Sequence, residues 1–288
     1  MDYAIIIAVD ILGGITSLIL ISLGLAVIYG MMRIINLAHG EFLMLGAYAT
    51  VVATNAGVNI WIAMLLISPL VVGAIGILVE RTVMRFLYGR LIDTMLATWG
   101  LSLLISGLVT TVFGNNIKGV PTPLGGFTVG AYTSSLYTLF LAAMAGAMLI
   151  GLYLLLRCTR FGLVARAMMQ NANMAAALGA SPPRTYMITF GIGAAITGLS
   201  GGLLAPVTGV GPTIGAAFIA KAFITVVGGG PAILTGTGAA AILFGFINQT
   251  ATYLSTPVFG EVALFLAAIV LIRLMPAGIT GKSLRGAR

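Results

Sequence analysis

The chain has 288 residues, of which 60% are hydrophobic and only 7% charged, and its mean hydropathy is +1.14. A soluble domain carries about 25% charged residues, so a protein with water on all sides is excluded and a membrane-embedded one is implied. The net charge of +8 falls in three clusters beside apolar runs: Arg81, Arg85 and Arg90; Arg157 to Arg184; and Arg273, Lys282, Arg285 and Arg288. That placement is a positive-inside pattern rather than a nucleic-acid footprint. The runs are apolar on every side for about 17 to 25 residues, which fits helices crossing ~30 Å of hydrocarbon and not the alternating strands of a barrel. Cys158 is the single cysteine, which excludes an internal disulfide. The start, Met1-Asp2-Tyr3, lacks a basic n-region, so no removable signal peptide is expected.

In chain order, the expected spans are Val9 to Met31, a second from within Asn36–Tyr48 to Val52, Ile60 to Val79, Thr94 to Phe113, and Leu136 to Leu156. The region from Gly114 to Ser135 reads as a Gly- and Pro-rich loop without an apolar run. Spans Tyr186 to Leu204, Ala216 to Val227, Ile233 to Leu254 and Val262 to Leu274 follow. Ala216–Val227 is short for a crossing and reads as a half-helix ended by Gly228-Gly229-Gly230-Pro231. The expected fold is therefore an all-α polytopic bundle of about 8–9 spans, forming one transmembrane domain over residues 1–288. With the basic clusters and Arg33 in the cytosol, the N-terminus lies outside (periplasmic) and the C-terminus inside.

Two glycine motifs resemble nucleotide loops and are read otherwise. Pro276 to Ser283 ends like a Walker A loop, but Pro276 replaces the first glycine and no βαβ unit surrounds it. Gly236-Thr-Gly238 lies in an apolar helix, where Thr237, Ala241 and Gly245 form a small-residue ladder for close helix packing. His39 has no second histidine for a metal, so metal catalysis finds no support. No nucleophile, base and metal cluster converge, and the chain is read as a non-enzyme with no cofactor of its own.

Polar residues inside the apolar sequence are the candidates for a path. Asn36 and Glu41 read either as caps at the start of the second span or, with His39, as a break beside a translocation path. Lys221 reads as path-lining or as snorkelling to the surface. Glu261 reads as an interfacial residue and Trp99 as part of an aromatic belt. Asn248 and Gln249 read as interhelical or path-lining groups.

The central loop, about residues 157–184, interrupts the apolar runs. Arg166 to Leu178 carries good helix formers, Gly179 suits a C′ position, and Pro182-Pro183 follow. This predicts one short helix lying near the membrane, with small residues along its apolar side. An inert interfacial helix is one reading, and a helix fitted into a groove on another protein is the other.

Ile35-Asn36-Leu-Ala-His39-Gly-Glu41-Phe42, Arg166…Ala175-Ala176-Ala-Leu178-Gly179, Lys221-Ala-Phe…Gly228-Gly229 and Met275-Pro276-Ala-Gly278-Ile resemble permeases of the branched-chain amino acid ABC importers, across nearly the whole chain. The resemblance implies a subunit that forms the path while separate chains bind and hydrolyse ATP. It implies two cytosolic ATPase subunits, a second and non-identical permease subunit, a periplasmic binding protein and a home in the bacterial inner membrane. It makes Arg166, Gln170, Asn171, Ala175, Ala176, Leu178, Gly179 and Pro182 the coupling loop that seats on an ATPase. It leaves Asn36, His39, Glu41, Trp99, Lys221 and Asn248 as candidates for the path. Leu96-Ala-Thr-Trp99-Gly100 and Phe113-Gly-Asn115-Asn116 look closer to the urea and short-amide permeases, whereas Lys221 matches the amino-acid branch. From another class, a stand-alone channel or secondary carrier would need ionisable groups paired in the membrane.

Overall fold

The computed structural model describes residues 2–130 and 132–281, so Lys282, Ser283, Arg285 and Arg288 lie outside the described residues. Its helices are α1 (Asp2–Met32), α2 (His39–Asn55), α3 (Ile60–Ile62), α4 (Ser68–Thr82), α5 (Leu91–Phe113), α6 (Leu136–Cys158), α7 (Arg160–Gln170), α8 (Ala172–Ala177), α9 (Pro182–Thr208), α10 (Ile214–Gly229), α11 (Ile233–Leu254) and α12 (Pro257–Leu274). The only sheet among the described residues is a hairpin of β1 (Gly126–Val129) and β2 (Tyr132–Ser135). The fold is thus a helical polytopic membrane bundle. Seven helical stretches are long and apolar enough to cross a membrane. At ~1.5 Å per residue, the 17 residues of α2 and 16 of α10 reach about 26 and 24 Å, short of a ~30 Å core.

Several boundaries differ from the sequence expectation for identifiable reasons. The expected structureless loop before α6 contains the hairpin, whose four-residue strands are too short to register as an apolar run. The third span begins with α3 and passes through a π-helical stretch, Ala63–Ile67, before α4. Pro69 lacks the N–H that would continue an α ladder to Leu65, and a π turn is one way to absorb that loss. The sixth span starts at Pro182 rather than Tyr186, because Pro182 and Pro183 occupy the first two positions of α9, where a missing N–H costs nothing. The last span starts at Pro257, five residues early, capped by the Thr256 hydroxyl accepting from Phe259 N–H at 3.4 Å.

The chain forms two compact units. One comprises Leu23–Pro121 and Ile150–Ala220 and is built on α9, whose most apolar stretch is two thirds buried, a larger share than in the other six candidate spans. α2 and α4 both pack along α9 with small residues at the contacts. A Cβ on Gly46 of α2 would meet the Gly198 backbone, one on Gly201 would meet the Leu43 carbonyl, and one on Gly76 of α4 would meet Ala194. Ser68 is fully buried where the three helices meet, and its hydroxyl lies 2.8 Å from the Gly46 carbonyl and 2.6 Å from the Gly198 carbonyl. Phe42 and Phe190 pack edge to face beside this junction, with centroids 6.0 Å apart. Lipid tails are as apolar as leucine, so helices associate in a membrane by close packing and hydrogen bonding. The small faces of α2, α4 and α9 allow that approach.

The other unit comprises Met1–Ser22, Thr122–Leu149 and Lys221–Arg288. Here the small-residue ladder of α11 does what its spacing predicts, since a Cβ on Gly245 would meet the Ile15 backbone of α1. Gly236, which mimics a dinucleotide fingerprint, packs directly on Gly229. The turn after α12 locks onto the glycines that end α10. Ile279 N–H donates to the Gly228 carbonyl at 2.9 Å, and the Thr280 hydroxyl donates to the Gly229 carbonyl at 2.7 Å. The described part of the Walker-like stretch therefore serves as a backbone strut.

The packing sets a contrast for measurement. Gly46→Ala should lower stability by about 1–3 kcal/mol through overpacking. Gly100→Ala, where an added Cβ meets nothing within 4 Å, should be neutral or slightly stabilising. Thermal unfolding of the detergent-solubilised variants distinguishes the two; equal melting would mean that α2 and α9 are not held by this contact.

Candidate functional site: a polar break and a central loop

Between α1 and α2 the chain leaves the helix at Arg33, whose φ of 53° is the one positive value at a non-glycine among the described residues. The next residues turn inward. Asn36, His39 and Glu41 are at most 4% exposed. Asn36 satisfies a backbone donor just before the helix and does not cap it, its Oδ1 accepting from the N–H of the N-cap residue Ala38 at 3.1 Å in an Asx turn. Nor does Glu41: no side chain caps α2, and Glu41 Oε1 instead accepts from Ser102 on α5 at 3.0 Å. The reason is reach, because Ser102 stands one turn beyond Thr98, which already accepts from Leu37 N–H at 3.1 Å. α5 thus lays a row of hydroxyls along the break. His39 Nδ1 is 3.4 Å from the Thr197 hydroxyl of α9. The start of α10 closes the other side, where a Cβ on Gly40 would meet the Gly215 carbonyl and one on Gly215 would come within 2.7 Å of Glu41 Oε2.

Two polar atoms in this packed place have no hydrogen-bond partner: Asn36 Nδ2, a donor, and Glu41 Oε2, an acceptor. A buried polar group left unpaired costs about 1–3 kcal/mol. A free donor and a free acceptor at one buried chain break are the kind of feature found at functional sites rather than in inert cores. The sequence reading missed Thr98, Ser102 and Thr197. The spacing of Thr94, Thr98 and Ser102 at successive turns of one apolar helix was the available signal.

The other path candidates are arranged differently. Trp99 is 56% exposed, about 100° around α5 from its buried neighbour Thr98. Lys221 does not stand alone; its Nζ pairs with Glu261 Oε1 at 2.5 Å. Each charge compensates the other, which is how ionisable groups are tolerated among apolar helices. Asn248 is half-buried on α11, and its neighbour Gln249 packs on Gly14 of α1. Lys221 and Asn248 belong to the compact unit that does not contain the break.

The central loop forms two helices where one was expected. Asn171 is extended, and its Oδ1 accepts from Met174 N–H at 3.0 Å, capping α8 instead of continuing α7. This is the usual competition of an Asn side chain with the helix ladder. α7 is held back onto α6 by the Arg166 guanidinium, which donates to the Leu156 carbonyl at 2.5 Å, and by Gly162, where a Cβ would strike that same carbonyl. α8 ends in a Schellman motif. Gly179 has φ 95°, Gly179 N–H donates to Ala176 O at 2.9 Å, and Ala180 N–H donates to Ala175 O at 3.0 Å. The small side of α8 is partly spent within the chain, since Ala175 is buried. The outward side chains are Met174 and Leu178, 60% and 84% exposed, with Gln170, Asn171 and Ala176 also exposed and Pro182 half-buried.

Long apolar helices joined through glycine contacts, whose few buried polar groups are mostly hydrogen-bonded or paired with one another, define a multi-pass helical membrane protein. Comparison with known proteins narrows the class. The chain belongs to the family described as the permease component of branched-chain amino acid transport systems, which it matches over residues 7–275. It is 31% identical over 287 residues to the high-affinity branched-chain amino acid transport system permease protein LivH of Escherichia coli K12, with 91% of each chain covered. It is 30% identical over 284 residues to the corresponding BraD of Pseudomonas aeruginosa, again with 91% of each covered. A probable branched-chain amino acid transport permease protein LivH of Methanocaldococcus jannaschii is 26% identical over 280 residues, covering 92% of this chain and 88% of its own. No solved structure matches the chain. Membership makes it a permease subunit of an ABC-type system that has further components.

The hydroxyl row has a measurable weight. Thr98→Val leaves Leu37 N–H without its acceptor and should cost about 1–3 kcal/mol. Thr111→Val, on the exposed side of the same helix and bonded only to its own Gly107 carbonyl, should stay within about 0.5 kcal/mol. Chemical unfolding in mixed micelles reads both, and an equal loss would remove Thr98 from the set that holds the break.

Proposed function

We propose that the chain, acting as one permease domain, imports branched-chain or other hydrophobic amino acids across a bacterial inner membrane. Its N-terminus faces the periplasm and its C-terminus the cytosol. A second, non-identical permease subunit completes the path, a periplasmic binding protein delivers the solute, and two ATPase subunits bind and hydrolyse ATP, so this chain needs no cofactor or catalytic residue. The names of the relatives support the solute class, and the orientation rests on the arginine clusters.

The observation that carries the reading is α8. It is a short, doubly capped helix whose large apolar side chains, Met174 and the C-cap Leu178, are exposed. A side chain as exposed as Leu178, on a rigid helix outside the long spans, is unfavourable in water and fits a protein groove. Gly179 ends the helix in a conformation that a β-carbon strains, so the helix keeps a fixed length. α7, anchored by Arg166, connects this contact to α6 and α9. Asn36, His39 and Glu41 border the path in this reading, supported by the unspent Asn36 Nδ2 and Glu41 Oε2, which offer polar ends to a zwitterionic solute. Lys221, Asn248 and Trp99 are assigned to the path's surroundings. The motif around Trp99 favours one second reading, import of urea or a short amide by the same architecture.

Proteoliposomes holding the complete transporter test both parts. Leu178→Glu should weaken ATPase association by roughly 30-fold, as for loss of an interface hot spot, and abolish ATP-driven leucine uptake while the protein folds normally. Unchanged uptake would overturn the coupling assignment. Uptake of labelled urea but not leucine by the unmodified complex would shift the substrate to the second reading.

A further inference from the structure

A cavity outside the break and the coupling helices lies in the α9-containing unit. The end of α4, the 3₁₀ turn Met84–Phe86 and the start of α9 enclose an open pocket of about 300 Å³ lined by Glu80, Arg81, Arg85, Ser181, Arg184 and Met187. Three guanidinium charges less one carboxylate leave its lining at +2. Glu80 is 1% exposed, and its carboxylate accepts from the Tyr88 hydroxyl. Burial, and then that same hydrogen bond, push the Tyr88 phenol far above its ordinary value, so it stays a donor and keeps the carboxylate engaged. Arg81 Nε reaches only the Met187 sulfur, at 3.2 Å. Among the described residues no carboxylate lies within ion-pair distance of Arg81, Arg85 or Arg184, although Arg90 nearby does pair with Asp93 at 3.7 Å. Charge bias toward one membrane face explains arginines on these segments. It does not explain three of them converging on a cavity whose one carboxylate, Glu80, is engaged by Tyr88 and pairs with none of them.

The surroundings indicate the depth. Leu78, one turn before Arg81 and Thr82, is 60% exposed; Phe86, next to Arg85, is 70% exposed; and Ile92 at the start of α5 is 71% exposed. In a multi-pass membrane protein such side chains face hydrocarbon, so the pocket opens where the apolar band ends and headgroups begin. Pro182 and Pro183 deprive the first turn of α9 of two backbone donors, which leaves recognition to the arginine forks. Guanidinium groups match phosphate oxygens in a planar, bidentate way. We propose that this pocket binds a phosphate group through Arg81, Arg85 and Arg184, and that in the membrane the group is the headgroup phosphate of an anionic phospholipid whose chains lie along Leu78 and Phe86.

Native mass spectrometry of the full chain, released from micelles containing either phosphatidylglycerol or phosphatidylcholine, tests the site. The unmodified protein should retain phosphatidylglycerol preferentially. Arg81→Gln with Arg184→Gln should reduce that retention by roughly fivefold per arginine, whereas Arg90→Gln, equal in charge loss per site but outside the pocket, should not. Arg81→Lys with Arg184→Lys keeps the charge, guards against a folding artefact and should weaken retention less. Binding of inorganic phosphate to delipidated protein, lost in the double Gln variant, would support the phosphate site with a free anion as its source. Retention that falls equally in Arg90→Gln, or no lipid preference together with no phosphate binding, would overturn the proposal. So would normal lipid retention in a double variant that no longer assembles with its ATPase, since the pocket would then serve a protein carboxylate.

Discussion

The fold of the α9-containing unit depends on one hydroxyl. Ser68 sits between the Gly46 and Gly198 carbonyls, with no exposure and both oxygens within hydrogen-bond distance. Its single proton serves one carbonyl at a time, yet the site requires α2, α4 and α9 to come within backbone contact. In hydrocarbon that closeness is the source of stability, because dispersion over closely packed surfaces and a shared polar contact replace the hydrophobic effect. Everything that gives the unit its character follows from this three-helix junction. α9 becomes the buried axis, α2 is drawn inward, and the break preceding α2 is buried with its polar side chains.

That buried break needs cover. A chain break at membrane depth is tolerated only where other parts of the protein cover it or where it lines a cavity. Here the hydroxyls of Thr98 and Ser102, the Thr197 hydroxyl and the close Gly40–Gly215 approach provide the cover. Two polar atoms remain unspent. The site is thus supported by rigid helices while retaining hydrogen-bonding capacity, a combination suited to a solute that must be held briefly and released. The same logic of compensated polarity recurs in the other unit, where Lys221 and Glu261 neutralise one another.

The sequence revealed those features whose physics is periodic or punctual. The span Ile233–Leu254 was legible to the residue, because apolar length and flanking glycines define it without reference to partners. Gly179 was legible as a helix terminator because the left-handed conformation selects glycine. The Asn171 break was less visible: a single Asn in a run of helix formers costs little by propensity, and only the cap it makes to Met174 decides the outcome. The hairpin at 126–135 was hidden because four-residue strands have no period long enough to detect. The two readings of Glu41, cap or part of a break, could not be separated from sequence because its partner, Ser102, lies 61 residues away. Composition identifies which groups are polar; only tertiary packing determines which of them meet.

The Ser68–Gly198 contact joins positions separated by 130 residues. At synthesis rates of about 5–20 residues per second, α2 and α4 spend roughly 7–26 s in the membrane before α9 arrives. During that interval the faces of α2 and α4 that α9 will cover meet lipid, or the insertion machinery, in its place, and the Ser68 hydroxyl has only the Gly46 carbonyl to bond. The order of the helices along the gene therefore imposes a waiting period on biogenesis, and the least apolar surface of the unit depends on protection that the finished protein no longer needs.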